Sequence, residues 1–167
     1  MKSVFCTFTL TLLIFQTKSF GQISDQAKSL RDILDFRVVV EEIGEEYRRD
    51  GFTRARFQTA VELRLRELGI QVVDDLKSQK SLNQPLIYVN VQPMRVDKSL
   101  YAISVEFYLI QIVGVFKGIY SKFFNAITWD EGGLLIVEKN NTIAVQNFIY
   151  EFIDMFANDY YRVNDRS

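Results

Sequence analysis

The stretch TRARFQTAVELRLRELGI, residues 53–70, carries every signal of one amphipathic helix and decides the fold prediction. Thr53 is a typical N-cap residue, because its hydroxyl accepts a hydrogen bond from the first amides of a helix. Apolar residues then recur every three or four positions on one face: Phe57, Ala60, Val61, Leu65 and Leu68. Gly69 suits the left-handed position after a helix, and Ile70 is the apolar contact that follows. One face of this helix is therefore expected to pack on another layer.

Strand signals stand on both sides of this helix. Before it, FRVVVEEI at residues 36–43 is rich in β-branched residues and ends at Gly44, which predicts a first strand. After it, LIYVNVQ at residues 86–92 alternates apolar and polar residues, as in a strand with one buried face. Pro93 is expected to end the hydrogen-bond ladder of that strand. The sequence thus predicts a strand, a helix and a second strand in succession.

Two longer strands are predicted in the second half of the chain. One runs from Tyr101 to about Val113, and the other runs from Ala126 to Glu138 with Trp129 pointing inward. Gly132-Gly133 indicates a bulge or kink in the last strand. Residues 116–124 are expected to form the hairpin connection between the two strands.

A final helix follows Asn140-Asn141-Thr142, which can cap it. Its apolar stripe has helical period and consists of Val145, Phe148, Ile149, Phe152, Phe156 and Tyr160. The order β-α-β-β-β-α predicts an α+β two-layer sandwich: a mainly antiparallel sheet of four to five strands with two amphipathic helices on one face. Residues 22–167 are expected to form this single domain.

The first 21 residues have the features of a signal peptide. An apolar run of about 12 residues from Val4 to Phe15 is too short to span a bilayer, which needs about 20. Ser19-Phe20-Gly21 offers small residues for cleavage before Gln22. Cys6 opens the run instead of following it, so a lipid anchor is not expected. The prediction is an exported protein, periplasmic or secreted, with an uncleaved anchor or a buried first helix as alternatives.

Composition excludes several functional classes. The formal charge is −1 for the 167 residues and becomes −3 once Lys2 and Lys18 leave with the leader, which disfavours nucleic acid as a partner. The chain has no histidine, and its one cysteine is Cys6. The commonest general base and the commonest zinc ligands are therefore missing from the mature chain. We expect no catalytic residue, no metal site and no cofactor.

One catalytic alternative remains in the pair Asp130-Glu131 beside Trp129. Two carboxylates next to an aromatic platform are typical of enzymes that hydrolyse sugars. The alternative is that the same residues are ordinary acidic residues of a turn before Gly132-Gly133.

Two surfaces are candidates for binding. Tyr88, Asn90 and Tyr108 are expected to line the sheet face that no helix covers, where tyrosine offers both apolar area and a hydroxyl. Lys117, Lys122 and Phe123 belong to the predicted hairpin connection, which is a candidate for contact with a partner or a membrane. The alternative for the connection is that its aromatic residues fold back into the core.

Several motifs resemble those of a group of small exported bacterial proteins of unassigned function. They are Gly51-Phe52-Thr53, Thr59 to Arg66, Leu68-Gly69-Ile70, Tyr88 to Val91 and Thr128-Trp129. The resemblance covers most of residues 36–163 and implies a fold, since its motifs are structural. More remotely, the element order is similar to the amino-terminal domain of the Tol–Pal periplasmic propeller protein and to curli-secretion and penicillin-binding-protein activator domains. Those are envelope adaptors, and the lipid-bearing cysteine common among them is absent here.

The functional expectation is an exported, non-enzymatic binding or accessory module, and the resemblance implies another envelope protein as its partner. A self-associating structural subunit, forming a homo-oligomer through the uncovered sheet face, is the first alternative. A carbohydrate-active hydrolase that uses Asp130 or Glu131 is the second.

Overall fold

The computed structural model describes residues 23–73 and 84–164. The predicted signal peptide, the cleavage site before Gln22 and most of the polar loop before Pro85 lie outside the described residues. Export and cleavage therefore stay predictions.

The described chain forms one four-stranded sheet and four helices. The strands are β1 (Arg37–Val40), β2 (Leu86–Arg95), β3 (Leu100–Lys117) and β4 (Tyr120–Glu138), and the helices are α1 (Asp25–Ser29), α2 (Glu45–Arg48), α3 (Arg54–Glu67) and α4 (Thr142–Val163). The strands lie side by side in chain order, with β1 parallel to β2 and the other neighbours antiparallel. The predicted α+β two-layer sandwich is confirmed, as is the order of its six main elements. The short helices α1 and α2 are additions to that order.

Helix α3 begins and ends where its local signals predict. The Thr53 hydroxyl accepts a hydrogen bond from the Arg56 amide at 3.3 Å. Gly69 has φ +76° at the other end, a conformation that a residue with a Cβ adopts only at a cost. The Ile70 amide then donates to the Leu65 carbonyl at 2.9 Å, which closes the helix with the predicted glycine motif.

The core lies between the sheet and the pair α3 and α4. Alternate residues of β3 point into it and are fully buried, among them Ile103, Val105 and Phe107. Phe156 of α4 packs edge-on against Trp129, with ring centroids 5.2 Å apart, and Trp129 is buried as predicted. The side chains that α4 buries include most of its predicted stripe: Val145, Ile149, Phe152, Phe156 and Tyr160. The two amphipathic helices thus cover one face of the sheet.

Pro93 does not end β2, contrary to the expectation from its missing amide. It pairs with Ile103 of β3, and β2 continues to Arg95. The last backbone hydrogen bond from the β1 side runs from the Glu41 amide to the Val89 carbonyl at 2.9 Å. Pro93 therefore lies where β2 is a sheet edge among the described residues, and an edge tolerates proline.

The bulge in β4 lies at Thr128 and not at Gly132-Gly133. The register against β3 shifts between Leu109 and Ile110, which leaves Thr128 as the extra residue. Gly132 and Gly133 pair regularly. The second glycine instead permits close packing, because a Cβ atom at Gly133 would lie 2.7 Å from the Phe148 ring of α4.

Candidate functional site

Strands β3 and β4 extend far beyond the rest of the sheet. The first residue of β2, Leu86, pairs with Ile110 of β3. From Gln111 to Lys117, β3 pairs with β4 alone among the described residues. We call residues 111–126 the hairpin arm. Seven residues of extended chain beyond Ile110 give the arm a length of about 23 Å.

A two-residue turn closes the tip of the arm. Lys117 pairs with Tyr120, and Gly118-Ile119 connects them. Gly118 has φ +61°, which matches the requirement of a type II′ hairpin turn for glycine at its first central position. Ile119 is 93% exposed at the outermost point. The predicted connection is thus a tight hairpin that continues both strands.

Both faces of the arm are apolar. Strand alternation places Ile112, Phe116 and Phe123 on one face, and the other face carries Val113, Val115, Tyr120 and Phe124. Phe116 and Tyr120 are each 73% exposed, on opposite faces. The alternative that these aromatic residues fold back into the core is wrong. Taking about 200 Å² for each aromatic side chain, the arm exposes roughly 700 Å² of mostly apolar surface, more than the largest patch on a typical monomer.

The two aromatic rings on the first face are packed against each other. Phe116 and Phe123 meet edge to face with centroids 6.2 Å apart. They lie over Gly114, where an added Cβ would be 3.0 Å from the Phe123 ring and 3.1 Å from the Phe116 ring. Aromatic side chains that cover a strand glycine shield its backbone from water and hold the local register. The arm therefore presents an ordered aromatic pair.

The arm is basic in an acidic chain. Its only charged residues are Lys117 and Lys122, and no acidic residue lies between Glu106 and Asp130 in the sequence. The formal charge of the whole chain is −1, so the residues outside the arm sum to −3. The arm thus combines exposed apolar side chains with two cationic groups.

A polar cluster fixes the root of the arm. The Thr128 hydroxyl at the bulge donates to Gln111 Oε1 at 2.6 Å. The Ser29 hydroxyl in turn donates to the Thr128 carbonyl at 3.2 Å, and Gln111 Nε2 donates to the Ser29 carbonyl at 3.4 Å. We call the described residues outside 111–126 the body. These bonds tie the arm to α1, so the direction of the arm is set by the body.

The open face, which is the sheet face opposite α3 and α4, carries the other candidate residues. Tyr88 stands directly across from Tyr108, and Asn90 stands across from Glu106. Asn90 Nδ2 donates to Glu106 Oε2 at 3.0 Å, and Asn90 is only 9% exposed. A hydrogen bond to the Glu41 carboxylate, with burial and the charges of Glu41 and Glu106, raises the pKa of Tyr88 to about 12.

The Tyr108 hydroxyl is also held in its protonated form. Burial raises its pKa first, and a hydrogen bond to the Glu106 carboxylate adds to the effect. Tyr88, Asn90 and Tyr108 thus share their hydrogen bonds with carboxylates of the same face.

The structure divides the six candidate residues between two places. Tyr88, Asn90 and Tyr108 lie together on the open face, whereas Lys117, Lys122 and Phe123 lie on the arm. The predicted connection at residues 116–124 already contained Ile119, Tyr120 and Phe124, and the structure adds Val115 to the exposed surface of the arm. The presence of Lys117 and Lys122 in an aromatic-rich segment was the available signal of its exposure, since neither lysine fits a buried hairpin.

Asp130 and Glu131 do not form a catalytic pair in one cleft. Both lie within β4 and not in a turn, so their side chains point to opposite faces of the sheet. Asp130 Oδ1 accepts a hydrogen bond from Gln26 Nε2 of α1 at 2.9 Å. A pair of glycosidase carboxyl groups must flank one bond from a shared cleft, and this arrangement provides none.

A shallow cleft of about 420 Å³ lies beside the start of α3. Its charged groups pair with each other: Arg54 Nη1 lies 3.2 Å from Glu42 Oε1, and Arg48 Nη2 lies 3.7 Å from Glu42 Oε2. Thr53, Ala55 and Gln58 complete the lining, and the side chains of Thr53 and Gln58 already bond the backbone. The polar side chains that line this cleft therefore all have partners within the protein, and none is left unpaired to bind a ligand.

Within residues 23–73 and 84–164, no three acidic, histidine or cysteine side chains converge as a metal site would need. None of the helices in that part of the chain has the length and apolarity to cross a bilayer. The chain matches no protein-family model and no curated protein.

Proposed function

We propose that this chain is an exported, non-enzymatic binding module that contacts its partner through the hairpin arm. The observation that carries the proposal is the two-sided apolar surface of the arm. Export rests on the signal-peptide pattern of residues 1–21.

The free energy of solvation supports the arm as the contact surface. Apolar surface left in water costs about 25 cal/mol for each Å² relative to the same surface when buried. The body of the molecule has a filled core of its own, with Phe107, Phe156 and Trp129 almost fully buried. The exposed aromatic residues of the arm are therefore not needed to complete that core. A partner that covers them would gain their transfer free energy.

The open face is the weaker candidate of the two. Its tyrosines and Asn90 already bond the carboxylates of Glu41 and Glu106, so a ligand would have to compete with bonds that exist. Binding at the arm would break no such hydrogen bonds, because Phe116, Ile119 and Phe123 present exposed apolar surface. We therefore place the contact on the arm.

Site-specific crosslinking in the native cell tests this proposal. A photoreactive amino acid at Phe123 reports on the arm, and the same residue at Ile143, 63% exposed at the start of α4, serves as the matched control. We expect adducts, to protein or to lipid, from position 123 and none above background from position 143. Equal labelling at the two positions, or no adduct at 123, would contradict the arm as the contact surface.

A further inference from the structure

We infer that the partner of the hairpin arm is an anionic lipid surface, and that the tip of the arm inserts into the interfacial region of a membrane. This inference rests on the proposed function, since it names the chemistry that the arm recognises.

The distribution of apolar side chains over both faces favours lipid over a folded protein. Phe116 and Phe123 lie on one face of the ribbon, and Tyr120 and Phe124 lie on the other. A flat protein surface would cover one face, roughly 350 Å² of the arm, which is less than half of what each partner buries in a standard interface. A lipid interface surrounds a ribbon on both sides at once.

The charge of the arm is complementary to acidic headgroups. Lys117 and Lys122 are diagonal neighbours on one face close to the tip, and within the described residues neither forms an ion pair. Both side chains have long apolar stems. The stems can lie among the acyl chains beside the strands while the ammonium groups reach the headgroups. Each lysine near an acidic membrane surface is expected to raise the affinity about fivefold.

The acidic part of the molecule stays at a distance from the same surface. The arm is about 23 Å long, and interfacial insertion takes up only about 5–10 Å of it. The body, which carries the excess of acidic residues, is then held more than a Debye length of about 8–10 Å from the headgroups. The attraction of the two lysines is therefore only weakly opposed by repulsion of the body.

The backbone of the arm limits the depth of insertion. A two-stranded ribbon leaves the outer amides and carbonyls of both strands unpaired, and such groups are not tolerated in the hydrocarbon region. Tyr120 is a residue type that favours the membrane–water interface. These features place the tip, with Ile119 outermost, at the level of the headgroups and upper acyl chains.

Vesicle sedimentation with the full chain tests the inference. The probes are vesicles of phosphatidylcholine mixed with phosphatidylglycerol, and vesicles of phosphatidylcholine alone. We expect sedimentation with the acidic vesicles, and a fall in the bound fraction as salt is raised. Every variant carries the same residues 1–21, so a difference in the bound fraction between two variants is assigned to the substituted side chains.

Three variants make the result specific. The double variant Lys117→Gln/Lys122→Gln is expected to weaken binding to acidic vesicles by about 25-fold, from two lysines at about fivefold each. The variant Ile119→Ser/Phe123→Ser is expected to lose sedimentation, and Ile143→Ser on α4 to retain it. Unchanged circular dichroism and thermal midpoints would show that the arm variants fold, as their exposure predicts.

The outcomes separate the inference from the proposed function. If the wild-type chain fails to sediment, or if Ile143→Ser weakens binding as much as the arm variants do, the lipid inference is wrong. Should position 123 still crosslink to a protein in that case, the arm remains the contact surface and its partner is a protein. Loss of both signals overturns both statements.

Discussion

Asp50 is the residue that organises the end of the sheet opposite the hairpin arm. It is 6% exposed and accepts a hydrogen bond from the Tyr101 hydroxyl at 2.5 Å. Lys139 Nζ lies 3.2 Å from its other oxygen, and Arg95 Nη2 donates to the Tyr101 hydroxyl at 2.9 Å. One carboxylate therefore joins the segment after α2 to β2, β3 and the turn before α4.

The change of the thermal midpoint with pH should reveal the contribution of Asp50 to stability. The hydrogen bond from Tyr101, followed by Lys139, holds the pKa of Asp50 below its usual value although burial opposes the shift. A carboxyl whose pKa is lower in the folded state stabilises the protein above its unfolded pKa, about 4, and this stability is lost as the pH falls below that value. The thermal midpoint should thus fall from pH 5 to pH 3.

Asp50→Asn should lower the midpoint at pH 7 by on the order of 5 °C and should flatten its fall towards pH 3. Asp25→Asn is the matched control, because Asp25 is an exposed carboxylate whose pKa is lowered only by Lys28. It should leave the midpoint at pH 7 nearly unchanged. An Asp50→Asn profile parallel to that of the wild type would show that Asp50 carries none of the acid sensitivity.

At the scale of elements, the outer edge of β1 is closed by side chains and not by a strand. The Val40 amide donates to Gln58 Oε1 at 2.8 Å, and Gln58 Nε2 donates to the Val38 carbonyl at 2.9 Å. At the start of the strand, Phe36 forms a parallel bridge with Val72. The amide of Gln58 on α3 thus replaces one peptide unit of a neighbouring strand, which protects an edge that would otherwise pair with other chains.

Gln58→Ala should destabilise the domain by about 1–3 kcal/mol, because it leaves a strand amide and carbonyl unpaired beneath α3. Arg56→Ala, two residues away and exposed, should change the free energy of unfolding by less than about 0.5 kcal/mol. Chemical denaturation of both variants measures the difference. Equal effects of the two substitutions would mean that water replaces the Gln58 amide without cost.

Helix α3 was predictable in full because all of its signals are local. Thr53 and Gly69 act within one turn of the helix ends, the apolar stripe depends on spacings of three or four residues, and the structure confirms each of them. The arm was not predictable in the same way. Phe123 and Phe124 are adjacent apolar residues that would suit a core, and the sequence does not show that β2 begins opposite Ile110, so that the arm extends beyond the rest of the sheet.

The bulge at Thr128 also concealed the length of β4. It shifts the alternation by one residue, so the side chains that share the inward side with Trp129 are odd-numbered after the bulge and even-numbered before it. A strand pattern extended backward from Trp129 therefore loses its period.

On the open face, alternation predicted the position of Tyr88 and Tyr108 correctly, but their bonds to Glu41 and Glu106 depend on cross-strand register, which the sequence alone does not give.

At the scale of the whole molecule, the residues that form the core and the residues proposed for partner contact lie at different ends. The core and the Asp50 cluster lie in the body, whereas residues 112–125 are all exposed except for the half-buried Val113. The bonds among Gln111, Thr128 and Ser29 anchor the arm at its root without drawing it into the core. The arm should accordingly be dispensable for folding.

Shortening the hairpin tests this division. Replacing residues 112–125 by Asn-Gly keeps Gln111 and Ala126 as the last pair and supplies a two-residue turn that suits a hairpin. We expect the free energy of unfolding to stay within about 1 kcal/mol of the wild type, because no fully buried side chain is removed. A full-length variant with Asn125→Ala, an exposed arm position, is the control for handling and purity. If the shortened chain fails to fold while the control folds, the arm contributes to the core of the protein, and its apolar surface no longer requires a partner to explain it.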